Sequence, residues 1–281
     1  LNVGLPRCRG EVVDRAHDRT RRLDSKIKID LWFWGLSEPT AGARRLEAVL
    51  SEGEKTRMAR FKFAHDQLAF LLCRARVRRL LSRYTRTPPA DIRFGEVGRG
   101  KPTLIAPDGT PPLAFNLSHT DGLACLAVST NALSIGVDIE HIRPIEDDFS
   151  AYALTKPEAA TVQATVKDHR DRAFFHHWTG KEAFLKGPGE GLWQSLETFD
   201  VVPNIPATVP ASVTRPVLRE ARLPRIDDHA QRAEGWRLFT FDIGPDFVGA
   251  LAVLAGRERD RAIMVRSRFL SPPSPPVRKP R

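Results

Sequence analysis

Apolar residues recur at every second position in IKIDLWFW, where Ile27, Ile29, Leu31 and Phe33 alternate with other residues, the period of a half-buried strand. The folded body is therefore expected to begin near residue 28. Helical spacing follows over about 41–50, 51–61 and 65–84, the last carrying Leu68, Leu71, Leu72, Val77, Leu80 and Leu81 on one face and ending at Thr87-Pro88-Pro89. Short apolar runs then predict strands near 92–94, 104–105, 113–117, 123–129 and 134–139. Thr155, Pro157 and Glu158 have the arrangement of a helix cap with an acidic third position, leading a helix to about 167. A further helix is expected over 169–186, stopped by Gly187-Pro188-Gly189, and strands over 197–202, 236–242 and 248–254. The Pro- and charge-rich stretch 203–235 is read as a long loop.

Strand, helices and strands thus occur once before Asn131 and again after it. This order predicts an α+β fold of two pseudo-symmetric α/β halves, residues 28–131 and 132–256, although the halves share no obvious sequence repeat.

The formal net charge of +10 raises a nucleic-acid reading, but residues 28–256 carry only +1 of it. The excess belongs to 1–27 and to the Pro-rich 257–281, both expected to be disordered basic tails, so no specific nucleic-acid binding is expected. No apolar run approaches the roughly 20 residues of a membrane span, and the first 26 residues lack the apolar core of a secretory leader. Cys8, Cys73 and Cys125 are odd in number and without CxxC spacing, as expected of reduced thiols in a cytoplasmic protein with no membrane contact.

Chemistry concentrates in four places. In GVDIE, strand alternation sets Asp138 and Glu140 on one face, a carboxylate pair suited to a hard divalent cation beside phosphate. In WTGKEAFLK, Trp178, Glu182 and Lys186 share a helical face, just ahead of a glycine-rich turn. GRGKP supplies Gly98, Gly100, Lys101 and Pro102, no Walker loop but a lysine able to reach a phosphate. FNLSHT supplies Asn116, Ser118 and His119. A serine-hydrolase pair is disfavoured, because adjacent residues on a strand point to opposite faces. His176 and His177 lack a further ligand at metal spacing and are read as one packed and one exposed residue.

The order GRGKP, FNLSH, GVDIE and W-x-x-K-E-A-x-x-K resembles the 4'-phosphopantetheinyl transferases, in their long single-chain Sfp type, over roughly residues 28–256. Phe61, Asp66, Arg78 and Leu80 match the N-terminal pattern of that family, whereas Ala69 stands where many of its members carry a polar residue. The resemblance implies a monomer with the active site between two halves. It also implies Mg²⁺-dependent transfer of the 4'-phosphopantetheine arm of coenzyme A to a serine of an apo acyl or peptidyl carrier protein, releasing adenosine 3',5'-bisphosphate. Asp138, Glu140 and Glu182 would surround the Mg²⁺, with Glu182 the base and Lys186 on the diphosphate. Lys101, Pro102, Ser118 and His119 would complete the coenzyme site. A Mg²⁺-dependent nuclease or phosphohydrolase, and a non-catalytic carrier-protein-binding module, are the rival readings.

Overall fold

A computed structural model describes residues 26–37, 43–97, 100–105, 113–145, 153–189, 196–212, 215–223, 234–256 and 261–274. Its elements run β1 (Lys26–Gly35), α1 (Ala43–Glu47), α2 (Glu52–Ala59), α3 (Ala64–Thr85), β2 (Arg93–Val97), β3 (Lys101–Ile105), β4 (Ala114–Thr120), β5 (Leu123–Ser129) and β6 (Ser134–His141). There follow α4 (Lys156–Ala164), α5 (Arg170–Lys186), β7 (Arg219–Ala221), β8 (Trp236–Asp242), β9 (Phe247–Leu254) and β10 (Ala262–Phe269). Two four-stranded sheets, ordered β10-β1-β5-β4 and β6-β9-β8-β7, accompany the β2-β3 hairpin.

The α+β architecture repeats itself. In each half an opening strand pairs with the last strand of that half, which pairs in turn with the strand before it: β1-β5-β4 answers β6-β9-β8. A long helix, α3 or α5, lies in the corresponding place. Strand alternation sorts the apolar residues between layers. Ile27, Ile29, Leu31 and Phe33 of β1 join Ile135, Val137 and Ile139 of β6 in one core shared by the two sheets. The other β1 face sends Trp32 and Trp34 against Leu72, Val77 and Leu80 of α3.

Local sequence explains the helix ends. Ser51 and Thr155 each accept the backbone N–H three residues on, while Glu54 and Glu158 reach back to the N-cap amide, so both α2 and α4 begin with reciprocal caps. Glu54 also binds the α3 arginines: Arg78 Nε lies 2.7 Å from Glu54 Oε2, and its Nη1 donates to the carbonyls of Pro89 and Ile92 at 3.0 and 2.8 Å. Arg78 is therefore buried and structural, unlike its exposed neighbours Arg79 and Arg83.

Several expectations need correction. Residues 257–281, read as a disordered tail, contain β10, which pairs in parallel with β1 from Lys26↔Ala262 to Phe33↔Phe269. Beyond it Ser274 N–H donates to Gly122 O at 2.9 Å, and its hydroxyl accepts Ser37 N–H at 2.9 Å. The expected N-terminal tail falls almost wholly outside the described residues, except that Lys26 and Ile27 already belong to β1. No strand spans 197–202: there is a 3-10 turn at Leu196–Thr198 and one bridge, Val202↔Arg222. Side chains meet the backbone there instead, since Glu158 accepts Val201 N–H at 2.7 Å and the Lys181 ammonium donates to the Leu196 and Phe199 carbonyls. The expected loop 203–235 contains β7.

Candidate active site

The site forms where β4 meets β6 and the C-terminal end of α5 closes over both. β6 is an edge strand of its sheet, so its outward amides have no strand partner. Side chains of β4 serve instead: Asn116 Oδ1 accepts Val137 N–H at 2.8 Å, Ser118 Oγ accepts Ile139 N–H at 3.3 Å, and Thr120 Oγ1 accepts His141 N–H at 3.2 Å. Gly136 allows α5 to come close, because a Cβ there would stand 2.0 Å from Ala183 O and 2.6 Å from Gly187 N. Gly180 has a similar use on the helix, where a Cβ would meet Val201 Cγ1 at 2.8 Å.

Helix α5 is also held by charge. Arg172 pairs with Asp242 and donates to Pro245 O, while Lys181 Nζ lies 2.7 Å from Glu158 Oε2. His176 and His177 are both buried, which corrects the expectation that one is exposed. His176 Nε2 lies 3.3 Å from Asp242 Oδ1 and His177 Nδ1 3.8 Å from Glu158 Oε1, so each ring faces a carboxylate on a different side of the helix. Burial lowers the His176 pKa more than Asp242 raises it, leaving a neutral ring in the core.

These supports deliver Glu182 and Lys186 to a cleft of about 260 Å³ lined by Leu117, Ser118, His119, Asp138, Glu140, Trp178, Glu182 and Lys186. A larger hollow of about 610 Å³ lies elsewhere, walled by Pro157, Ile205 and Glu220 of β7 among others, and contains none of these groups. Lys186 Nζ lies 2.5 Å from Asp138 Oδ1 and 3.3 Å from Ser118 Oγ. Burial raises the pKa of Asp138 despite Lys186 and Ser118. Glu182 is pushed up to about 7 by burial and by the charges of Asp138 and Glu140, which outweigh Lys186. His119 stands exposed at the rim; partial desolvation and the Lys186 ammonium lower its pKa, favouring a neutral imidazole.

Asp138 Oδ2 and Glu182 Oε1 are both buried with no hydrogen-bond partner. Two such oxygens in one acidic cleft fit a hard cation, which needs only one or two protein carboxylates when phosphate and water complete its shell. The three-carboxylate cage expected of Asp138, Glu140 and Glu182 is not closed: among the described residues no group of three acids, histidines or cysteines stands close enough to hold a metal, and Lys186 occupies Asp138 Oδ1.

Other expected site residues stand differently. Lys101, expected to reach a phosphate, directs its ammonium to Ser134 Oγ at 2.9 Å, Ile135 O at 2.9 Å and Gly187 O at 2.5 Å. Its three donors are thus matched by three acceptors, and burial lowers its pKa to about 8. Lys101 and the exposed Pro102 wall a neighbouring hollow of about 190 Å³ with Phe115, Ser134 and Pro188. Ser118, expected to bind the cofactor, donates to Asp138 Oδ1 at 2.7 Å while accepting Lys186 and Ile139 N–H, so its hydroxyl is fully engaged within the protein. Thr120, which no motif singled out, donates to Glu140 Oε2 at 2.9 Å, and Arg143 Nη1 donates to the same oxygen at 3.0 Å. The signal for Thr120 was the period-two series Asn116, Ser118, Thr120.

The two strands that frame the cleft fall in separate stretches of family similarity. Residues 39–131 match the family described as 4'-phosphopantetheinyl transferase, N-terminal, and residues 134–232 match the 4'-phosphopantetheinyl transferase superfamily. The chain is 32% identical to 4'-phosphopantetheinyl transferase HetI of Nostoc sp. over 191 residues, 66% of this chain and 80% of that protein. The chain belongs to the 4'-phosphopantetheinyl transferase superfamily. It is also 32% identical over 157 residues to 4'-phosphopantetheinyl transferase Sfp of Bacillus subtilis, covering 56% of this chain and 68% of Sfp. Over 213 residues it is 30% identical to a phosphopantetheinyl transferase of Thraustochytrium sp., covering 69% of this chain and 72% of that protein. It is accordingly a 4'-phosphopantetheinyl transferase, and the nuclease, phosphohydrolase and non-catalytic readings fall away. Among the described residues, no helix is long and apolar enough to cross a membrane.

Proposed function

We propose that this transferase moves the 4'-phosphopantetheine arm of coenzyme A onto a serine of an apo acyl or peptidyl carrier protein, at a Mg²⁺ site that Asp138 and Glu182 line with free oxygens and Glu140 flanks. The observation that carries this reading is the cleft itself: buried, partnerless carboxylate oxygens stand beside one ammonium, with a glutamate whose pKa is about 7. A bound Mg²⁺ would offset diphosphate charge and polarise the phosphorus under attack. In the transfer, the carrier serine Oγ forms a bond to the phosphorus bearing the pantetheine. The bond from that phosphorus to the bridging oxygen breaks, and adenosine 3',5'-bisphosphate leaves with the electron pair. Glu182 accepts the serine proton. Lys186 turns its charge to the diphosphate as charge develops on the leaving oxygen.

His119 at the rim donates an imidazole N–H to the 3'-phosphate. Lys101 and Pro102 contribute the wall of the adjoining hollow rather than a phosphate ligand, and Ser118 orients Asp138. The free, buried thiols of Cys73 and Cys125 accord with work in the cytoplasm.

Mass spectrometry of an apo carrier protein incubated with the enzyme, coenzyme A and Mg²⁺ tests the proposal. The carrier is expected to gain one phosphopantetheine, to gain nothing under chelation, and to recover the gain with excess Mg²⁺. Undiminished modification under chelation would remove the metal from the mechanism.

A further inference from the structure

The contacts between β4 and β6 follow a rule of register. Residue n of β6 gives its N–H to a β4 side chain, and the same side chain faces the side chain of residue n−1. At the first rung, Asn116 accepts Val137 N–H and position 136 is glycine. At the second, Ser118 accepts Ile139 N–H and donates to Asp138. At the third, Thr120 accepts His141 N–H at 3.2 Å and donates to Glu140 Oε2 at 2.9 Å. A hydroxyl has one proton, so accepting the main-chain amide and donating to the carboxylate fixes the direction of both bonds.

We infer that Thr120 is a positioning residue for Glu140, pegging that carboxylate to the strand that carries His119 and so setting its separation from Asp138. The inference rests on the reading that the cleft lined by Asp138, Glu140 and Glu182 holds a divalent cation. Without the peg, Glu140 keeps Arg143, an exposed partner only three residues away that draws the same oxygen toward solvent. Thr120 acts through Glu140 and touches neither cation nor substrate. Its removal therefore weakens cation binding rather than turnover at saturation. Groups that orient metal ligands typically contribute 10–100-fold in affinity.

The test is Mn²⁺ binding, followed by electron paramagnetic resonance with coenzyme A present and no carrier protein, so that no turnover enters the reading. Thr120→Val is expected to lose about 10-fold in Mn²⁺ affinity, while Thr120→Ser stays within about twofold of wild type. Thr120→Ala, which leaves room for a water at His141 N–H, is expected to weaken binding as Thr120→Val does and serves if the valine variant does not fold. In a Glu140→Gln background, Thr120→Val is expected to add no further loss. Wild-type affinity in Thr120→Val and Thr120→Ala would overturn the inference, as would an equal loss in Thr120→Ser. If Asp138→Asn loses Mn²⁺ while the Thr120 variants do not, only the Thr120 assignment falls. If wild type and Asp138→Asn bind Mn²⁺ alike, the metal reading falls and this inference with it.

Discussion

Glu182 couples the chemistry of the cleft to its stability. Burial and two neighbouring carboxylates raise its pKa from 4.5 to about 7, so the folded protein favours the protonated acid. The contribution to stability is then complete below the unfolded value and is lost as pH rises through about 7, by at most about 3 kcal/mol. Transfer needs the ionised form, which a neighbouring Mg²⁺ would favour, so in the loaded enzyme the rate should climb at lower pH than this interval. Glu182→Gln is expected to lower kcat about 10²–10⁴-fold and to remove that rising limb. Thermal unfolding at pH 8 should show that variant more stable than wild type, with the difference vanishing below about pH 4.5. An unchanged pH–rate profile would take the base assignment from Glu182. That Asp138 and Glu140 share one face, and Glu182 and Lys186 another, was legible in their period-two and period-four spacings, and the four line one cleft. The sequence left the partners of Lys101 and Ser118 unread because spacing is silent on how many acceptors will surround a polar atom. Ser134 and the Gly187 carbonyl, far from Lys101 in sequence, absorb its donors.

β10 shows how one signal can hide another. AIMVRSRF alternates Ile263, Val265 and Phe269 with exposed Met264, Arg266 and Arg268, the same period that identified β1. The basic charge and the prolines that follow directed the reading to a solvated tail. In the structure the charge is part of the attachment: Arg266 Nε lies 2.9 Å from Asp30 Oδ1, and Arg268 sits 5.1 Å over the Trp32 ring. Phe269 stacks on Phe33 with centroids 5.0 Å apart. Parallel pairing with β1 could not be inferred locally, because it joins the two ends of the folded chain. A chain shortened to residues 25–258 should therefore unfold at a clearly lower temperature than one ending at 275, since it loses eight paired positions and leaves β1 as an unprotected edge. Equal melting temperatures by calorimetry would contradict that role. By contrast, 236–242 and 123–129 match their strands residue for residue, because 123–129 is an almost continuous apolar run after Asp121-Gly122 and 236–242 an aromatic-rich stretch after Gly235.

The two halves share one apolar core and meet again at the rungs from Asn116, Ser118 and Thr120, so the cleft exists only when both sheets are in register. Element order in the sequence foretold the doubled architecture. The contact of β4 with β6 was not legible, since side chains rather than a backbone ladder make its bonds. The proposed transfer joins two substrates, so consumption of one should track modification of the other. The decisive measurement is the molar ratio of adenosine 3',5'-bisphosphate to holo-carrier protein, determined together by liquid chromatography and mass spectrometry with coenzyme A and Mg²⁺. A ratio of about one, with no nucleotide released when the apo carrier is omitted, is the expected result for group transfer. Release of the nucleotide at the same rate without a carrier, or with the carrier left unmodified, would contradict it.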